Sequence, residues 1–231
     1  MKNPHISDEL YFGLNLSTLA MSQFNNYDPD TILGFTEPTD EFVEYIKSTL
    51  HLRKITNLKE AKDRLYFYAN DQMYNRMFKE MSFQIDLMSA SEFEEHVEGL
   101  ESAVEYKRFQ LVKMHYFDLG ARGIQAYDVS EYVKLSRLCG ICGFLSENEV
   151  KNRIWDMSMM TKKWFKSWND YHKVVMIGEQ FAEAYAQQDN NVLNPTVVSQ
   201  QLWRKLSNEA KFDNTPFYSQ PLFSKLPIHT Q

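Results

Sequence analysis

Residues 124–142 read Ile-Gln-Ala-Tyr-Asp-Val-Ser-Glu-Tyr-Val-Lys-Leu-Ser-Arg-Leu-Cys-Gly-Ile-Cys, and Gly143-Phe-Leu-Ser146-Glu-Asn-Glu149 follows. The apolar spacing through Ile124, Leu135, Leu138 and Cys142 has a helical period. Gly143 is a stop signal, because glycine tolerates the left-handed backbone that ends helices. Ser146 with Glu149 then has the capping-box pattern and opens a second helix, with Val150, Ile154, Met157 and Trp164 facing inward. Helix, stop and cap in such close order predict a helical hairpin around Leu135 and Ile154, and the hairpin is expected to be central.

The same reading extends outward. Downstream, Ser167 to Ala186 places Trp168, Tyr171, Val174, Val175, Gly178, Phe181 and Tyr185 on one helical face. Asn194-Pro195 predicts the start of a last helix with Val198, Leu202 and Leu206 inward. Beyond Phe212, Pro216, Pro221 and Pro227 predict an extended tail. Upstream, Ser7 caps a helix with Leu10, Leu14, Met21 and Phe24 along one side, and residues 25–38 form a loop. Thr39 caps the next helix, which carries Phe42, Val43, Ile46 and Leu50. Asn57 with Glu60 opens another, with Leu58, Ala61, Leu65 and Tyr68 inward. A methionine stripe, Met73, Met77 and Met81, is read as core. From Ser89 a single long helix is expected to about Leu119, burying Phe93, Val97, Leu100, Val104, Leu111 and Met114.

Composition agrees with this pattern. Only 8 Gly and 7 Pro occur in 231 residues, fewer than an all-β chain usually needs, while 43% hydrophobic residues suffice for a core. The expectation is an all-α fold: one irregular bundle of about eight or nine helices with an extended C-terminal tail, a single domain over residues 1–231. The net charge of −6 and pI near 5.6 give no basic face, so nucleic acid is not an expected partner. No secretory signal and no uncharged apolar run of membrane-spanning length is visible, so a cytoplasmic protein without membrane association is expected.

The pattern breaks inside residues 124–142. At about 100° per residue, Asp128 and Glu131 fall among Ile124, Leu135, Leu138 and Cys142 on the predicted inner face. Buried carboxylates need cations or donors, or must hold a proton. Arg122, Arg137 and Arg153 are near in sequence, but Arg137 lies on the opposite side of the helix from Asp128. A partner is therefore expected from another helix. Two acids one turn apart suit general acid–base chemistry or a hard-metal site, and they equally suit a buried polar network.

The motifs Ala126-Tyr127-Asp128-Val129-Ser130-Glu131, Leu135-Ser136-Arg137, Gly143-Phe144-Leu145-Ser146, Glu149, Ser167-Trp168 and Gly178 resemble, in order and spacing, the bacterial DUF1266 family. Ile55-Thr56-Asn57 and the helix through Leu65 resemble that family's N-terminal segment, so the resemblance covers about residues 55–185. It implies a helical bacterial domain and no particular activity. It also makes Arg137, Trp168 and Gly178 expected structural or site-supporting residues. Tyr127 stands where the family usually has Trp, and Glu131 where it often has Arg. An Asp–Arg pair would neutralise itself; Asp128 with Glu131 does not.

Other constellations read as structure. Cys139-Gly140-Ile141-Cys142 lacks the second pair a structural zinc site needs and the strand a redox site follows, so two buried thiols are expected. Glu92 and His96 are one turn apart without further ligands, and no metal or cofactor is expected. The Lys162–Trp168 run of lysines and aromatics suits a helix end. Two function classes stay open. One is a non-catalytic interaction module acting on another bacterial protein as an adaptor, chaperone-linked factor or toxin–immunity component. The other is an enzyme, such as a hydrolase, with a cleft lined by Asp128 and Glu131.

Overall fold

A computed structural model describes residues 7–24, 26–70, 73–165 and 167–184. Local capping sets most of the helix starts. Ser7 Oγ accepts the Leu10 N–H at the start of α1 (Asp8–Asn15), and a single turn, α2 (Thr18–Met21), follows. Thr39 caps α3 (Asp40–Leu52) and Asn57 caps α4 (Leu58–Ala69). Next come α5 (Tyr74–Asp86), α6 (Ala90–Glu98) with its Ser89–Glu92 capping box, and α7 (Ala103–Leu119). A short 3₁₀ turn, Gly120–Arg122, leads into α8 (Gln125–Ile141). The Ser146–Glu149 box opens α9 (Glu147–Trp164), and Ser167 caps α10 (Trp168–Glu183). Nine of these helices have eight residues or more, so the described chain is the irregular all-α bundle its spacing predicts. Tyr185, the helix expected from Asn194 and the tail beyond Phe212 lie outside the described residues.

The hairpin of α8 and α9 forms as expected, and α8 is the axis of the bundle. It packs against α2, α3, α4, α5, α9 and α10, while α1 lies on α9 and α5 on α7. One cluster of buried hydrophobic side chains runs from Leu10 in α1 to Phe181 in α10. Among the described residues no helix is long and apolar enough to cross a membrane.

Several phases differ from the sequence pattern. The long helix expected from Ser89 breaks at Gly99, and Ser102 Oγ starts α7 anew by accepting the Glu105 N–H. The break resets the wheel, so Val104, Phe109, Val112 and Leu119 are buried while Met114 is 71% exposed. The Ser102-x-x-Glu105 spacing is the overlooked local signal. The first helix likewise breaks after Asn15. On α5 the buried positions are Asn75, Phe78 and Ile85; Met73 and Met81 are only partly buried, and Met77 faces outward. Leu58 and Trp164, expected inside, are also exposed; each is the terminal residue of its helix, Leu58 the first of α4 and Trp164 the last of α9.

The largest correction concerns α8. Thirteen of its residues are buried, including Asp128, Glu131, Lys134 and Arg137, so it has no outer face. A helix enclosed all round is normally apolar all round. This one is not, and its polar side chains define the candidate site.

Candidate functional site

Asp128 and Asn75 brace two helix starts against each other. The Asn75 backbone N–H, in the first turn of α5, donates to Asp128 Oδ2 at 3.0 Å. In return Asn75 Oδ1 accepts the Ile124 N–H at 2.7 Å, at the mouth of α8. Gly123 makes the approach possible: its φ is +53°, and a Cβ there would collide with Asn75 Oδ1. The buried carboxylate thus sits where the free N–H groups and dipole of α5 favour negative charge.

Glu131, one turn on, is enclosed by cations. Lys134 Nζ donates to its Oε1 at 2.5 Å and Arg53 Nη1 to its Oε2 at 2.8 Å. Burial alone would raise this acid, but Lys134 and Arg53 outweigh burial and hold it down to about 2. Glu131 in turn holds the Arg53 guanidinium above its usual range. Burial, reinforced by the charge of Glu131, also pushes the Tyr68 and Tyr127 phenols upward, so both stay neutral. An ionised carboxylate held this low is a poor proton acceptor near neutral pH. Lys134 corrects the expectation that partners come only from other helices. Its i+3 spacing from Glu131 was readable in the sequence; Arg53 and Asn75 carried no such signal.

Arg137, on the far side of α8, is fully buried and carries no ion pair among the described residues. Six neutral acceptors surround its guanidinium. They are the Leu14, Pro29, Thr31 and Ile32 carbonyls, Ser17 Oγ and Tyr27 Oη, at 2.7–3.4 Å. It therefore ties the N-terminal segment to the central helix. Trp168 is buried against Phe12, Tyr171 and His172. Gly178 lets α10 lie directly on Tyr127. The predicted residues are thus distributed around α8: Asp128 and Glu131 lie one turn apart, while Arg137, Trp168 and Gly178 belong to other contacts.

Two surface grooves flank α3. One runs past Phe35, Glu37, Glu41, Phe42 and Tyr45, the other past Lys47, His51, Leu52, Ile55 and Phe144. Neither is lined by Asp128 or Glu131. No group of three His, Cys, Asp or Glu among the described residues is arranged to hold a metal ion.

The sequence model described as "Protein of unknown function (DUF1266)" matches residues 54–217. The chain belongs to the DUF1266 family. No curated protein and no solved structure matches it. The match runs past the end of the motif resemblance at about residue 185 and begins directly after Arg53. In this DUF1266 protein, α1, α2 and α3 therefore lie upstream of the matched region. Together with the loop between α2 and α3, this upstream segment supplies every acceptor around Arg137, and Arg53 at its end pairs with Glu131, so the family region is completed by residues outside it.

Proposed function

We propose that this DUF1266 protein is a non-catalytic interaction module of the bacterial cytoplasm, binding another protein rather than nucleic acid or membrane. One observation carries the reading. Tyr106, Met114 and Phe117 fall within about 80° of one another on the outward side of α7, and are 44%, 71% and 89% exposed. Large apolar side chains gathered on one exposed face characterise interaction surfaces. Burying a side chain of this size on a partner is worth about 1.5–3 kcal/mol. The enclosure of Glu131 by Lys134 and Arg53, with neither groove lined by this acid, supports the same reading over a carboxylate-lined cleft.

The test is affinity capture from the native host with the full chain and with Phe117→Glu, each checked by thermal melting. A dominant protein partner, held by the parent chain and lost with Phe117→Glu at unchanged melting temperature, supports the module. An identical set of captured proteins for both chains counts against it. So does marked destabilisation of Phe117→Glu, which would mean the chain itself covers this face.

A further inference from the structure

The charge of the chain is unevenly placed. Residues 3–46 contain eight Asp and Glu and no Lys or Arg, against a net charge of −6 for all 231 residues. Residues 3–46 thus carry a net charge of −8, and the remainder of the chain, with 25 Lys and Arg against 23 Asp and Glu, is net +2. The acidic segment also folds an aromatic cluster. Phe35 and Phe42 lie 4.6 Å apart between ring centroids, with Phe24 edge-on to both at 6.3 and 6.2 Å, and Tyr45 is 6.3 Å from Phe42.

Aromatic cluster and acids meet in one groove of about 580 Å³, where Phe35, Phe42 and Tyr45 line one part and Glu37 and Glu41 another. Phe35 is buried, Phe42 half-buried, and Glu37, Glu41 and Tyr45 are exposed. The nearest cation in sequence, Lys47, is already engaged with Glu44 at 2.7 Å. Aromatic faces carry negative potential and attract cations most strongly where water is partly excluded. The N-terminus of α3 adds partial positive charge here, equivalent to roughly half an elementary charge. Glu37, Asp40 and Glu41 outweigh it.

We infer that this groove receives a lysine or arginine side chain from a basic segment of a partner protein. The aliphatic stem lies along Phe42 and Tyr45, and the charged head reaches Glu37 and Glu41, as long cationic side chains do when they cover apolar surface. The volume fits a side chain with its adjoining backbone and far exceeds a bare ion. Phosphate backbones and anionic lipid surfaces are repelled by the same carboxylates. The inference rests on the reading of the chain as an interaction module, and it assigns a partner chemistry to a face distinct from α7.

Calorimetric titration of the full chain with the peptide acetyl-Gly-Leu-Lys-Leu-Arg-Gly-amide tests it. The peptide should bind, and affinity should fall several-fold when salt is raised across the physiological range. Peptides with norleucine or Glu in place of Lys and Arg should not bind. Glu37→Gln/Glu41→Gln should weaken binding at least tenfold. Tyr45→Leu should weaken it measurably, whereas Tyr45→Phe should not, which separates a cation over a ring from simple apolar contact. Absence of binding, equal binding by the double variant, or binding of the Glu peptide or an oligonucleotide overturns the assignment. Because Phe117→Glu leaves this groove intact, failure here and failure of the α7 reading are distinguishable.

Discussion

Gly178 of α10 and Tyr127 of α8 occupy one another's space: a Cβ on Gly178 would stand 2.7 Å from Tyr127 Cγ and closer still to its Cβ. The obstruction is the stem of a side chain, which cannot swing aside as a flexible tip would. Gly178→Ala should therefore cost about 1–3 kcal/mol by overpacking, and Gly178→Leu at least as much. Urea melts check this. An unchanged midpoint for Gly178→Leu would show that the two helices separate without cost.

The Asp128 brace and the Glu131 cluster should respond differently to truncation. Asp128→Ala leaves the Asn75 N–H buried without this acceptor and should cost about 1–3 kcal/mol. Asp128→Asn keeps a carbonyl oxygen and should cost less. Glu131→Gln leaves Lys134, only 7% exposed, without its counter-charge and should cost on the order of 3 kcal/mol. Glu131→Met with Lys134→Met should recover most of that loss. Melts in which all four proteins match the parent chain would make these residues ordinary surface acids in solution.

Arg137 should govern the attachment of the N-terminal segment. A lysine lacks the planar fork that reaches six acceptors on both sides of Tyr27. Arg137→Lys should lose about 3 kcal/mol or more, and should open the segment near Tyr27 and Phe35 to chymotrypsin. A digestion pattern and a midpoint identical to those of the parent chain would contradict the anchor.

Acid should destabilise the fold in two windows. Burial holds His172 down to about 4, against an ordinary value of 6.5. Between these values the unfolded chain takes up a proton that the folded chain refuses, so stability is full above pH 6.5 and is lost as pH falls towards 4. The loss amounts to roughly 3 kcal/mol. Glu131, held at about 2, contributes stability that is present above its ordinary 4.5 and declines only below it. His172→Phe should flatten the first window and leave the second. Urea midpoints measured from pH 7.5 to 3 decide this, and a parent slope that survives in His172→Phe assigns the first window to another group.

The two cysteines should be slow to react. Burial pushes the Cys139 thiol up to about 12 and that of Cys142 up to about 11, so little thiolate exists near neutral pH. Cys142, half-buried at the end of α8, should label before the fully buried Cys139. Rapid labelling of either in the native protein would reopen a redox role for the pair.

Much of the helical framework was legible in the sequence because its signals are local. A Ser, Thr or Asn cap reads a backbone N–H three residues away, and an apolar stripe needs only the helical period. Ser7, Thr39, Asn57, Ser89 and Ser146 all cap where their spacing places them. Even the break before α7 was written locally, in Ser102-x-x-Glu105.

The site belongs to the tertiary structure. The unusual position of Asp128 and Glu131 could be read on a wheel, but a wheel assumes one inside and one outside, and α8 has neighbours on every side. Lys134 apart, what satisfies its charges comes from far along the chain: Asn75 lies 53 residues from Asp128, Arg53 lies 78 from Glu131, and the acceptors of Arg137 lie more than a hundred away. Local signals dictate that the helices form and where most begin. Which helix became the axis, and how its buried charges are satisfied, was decided only when distant segments met, because a charge can remain in a low-dielectric interior only beside groups that compensate it.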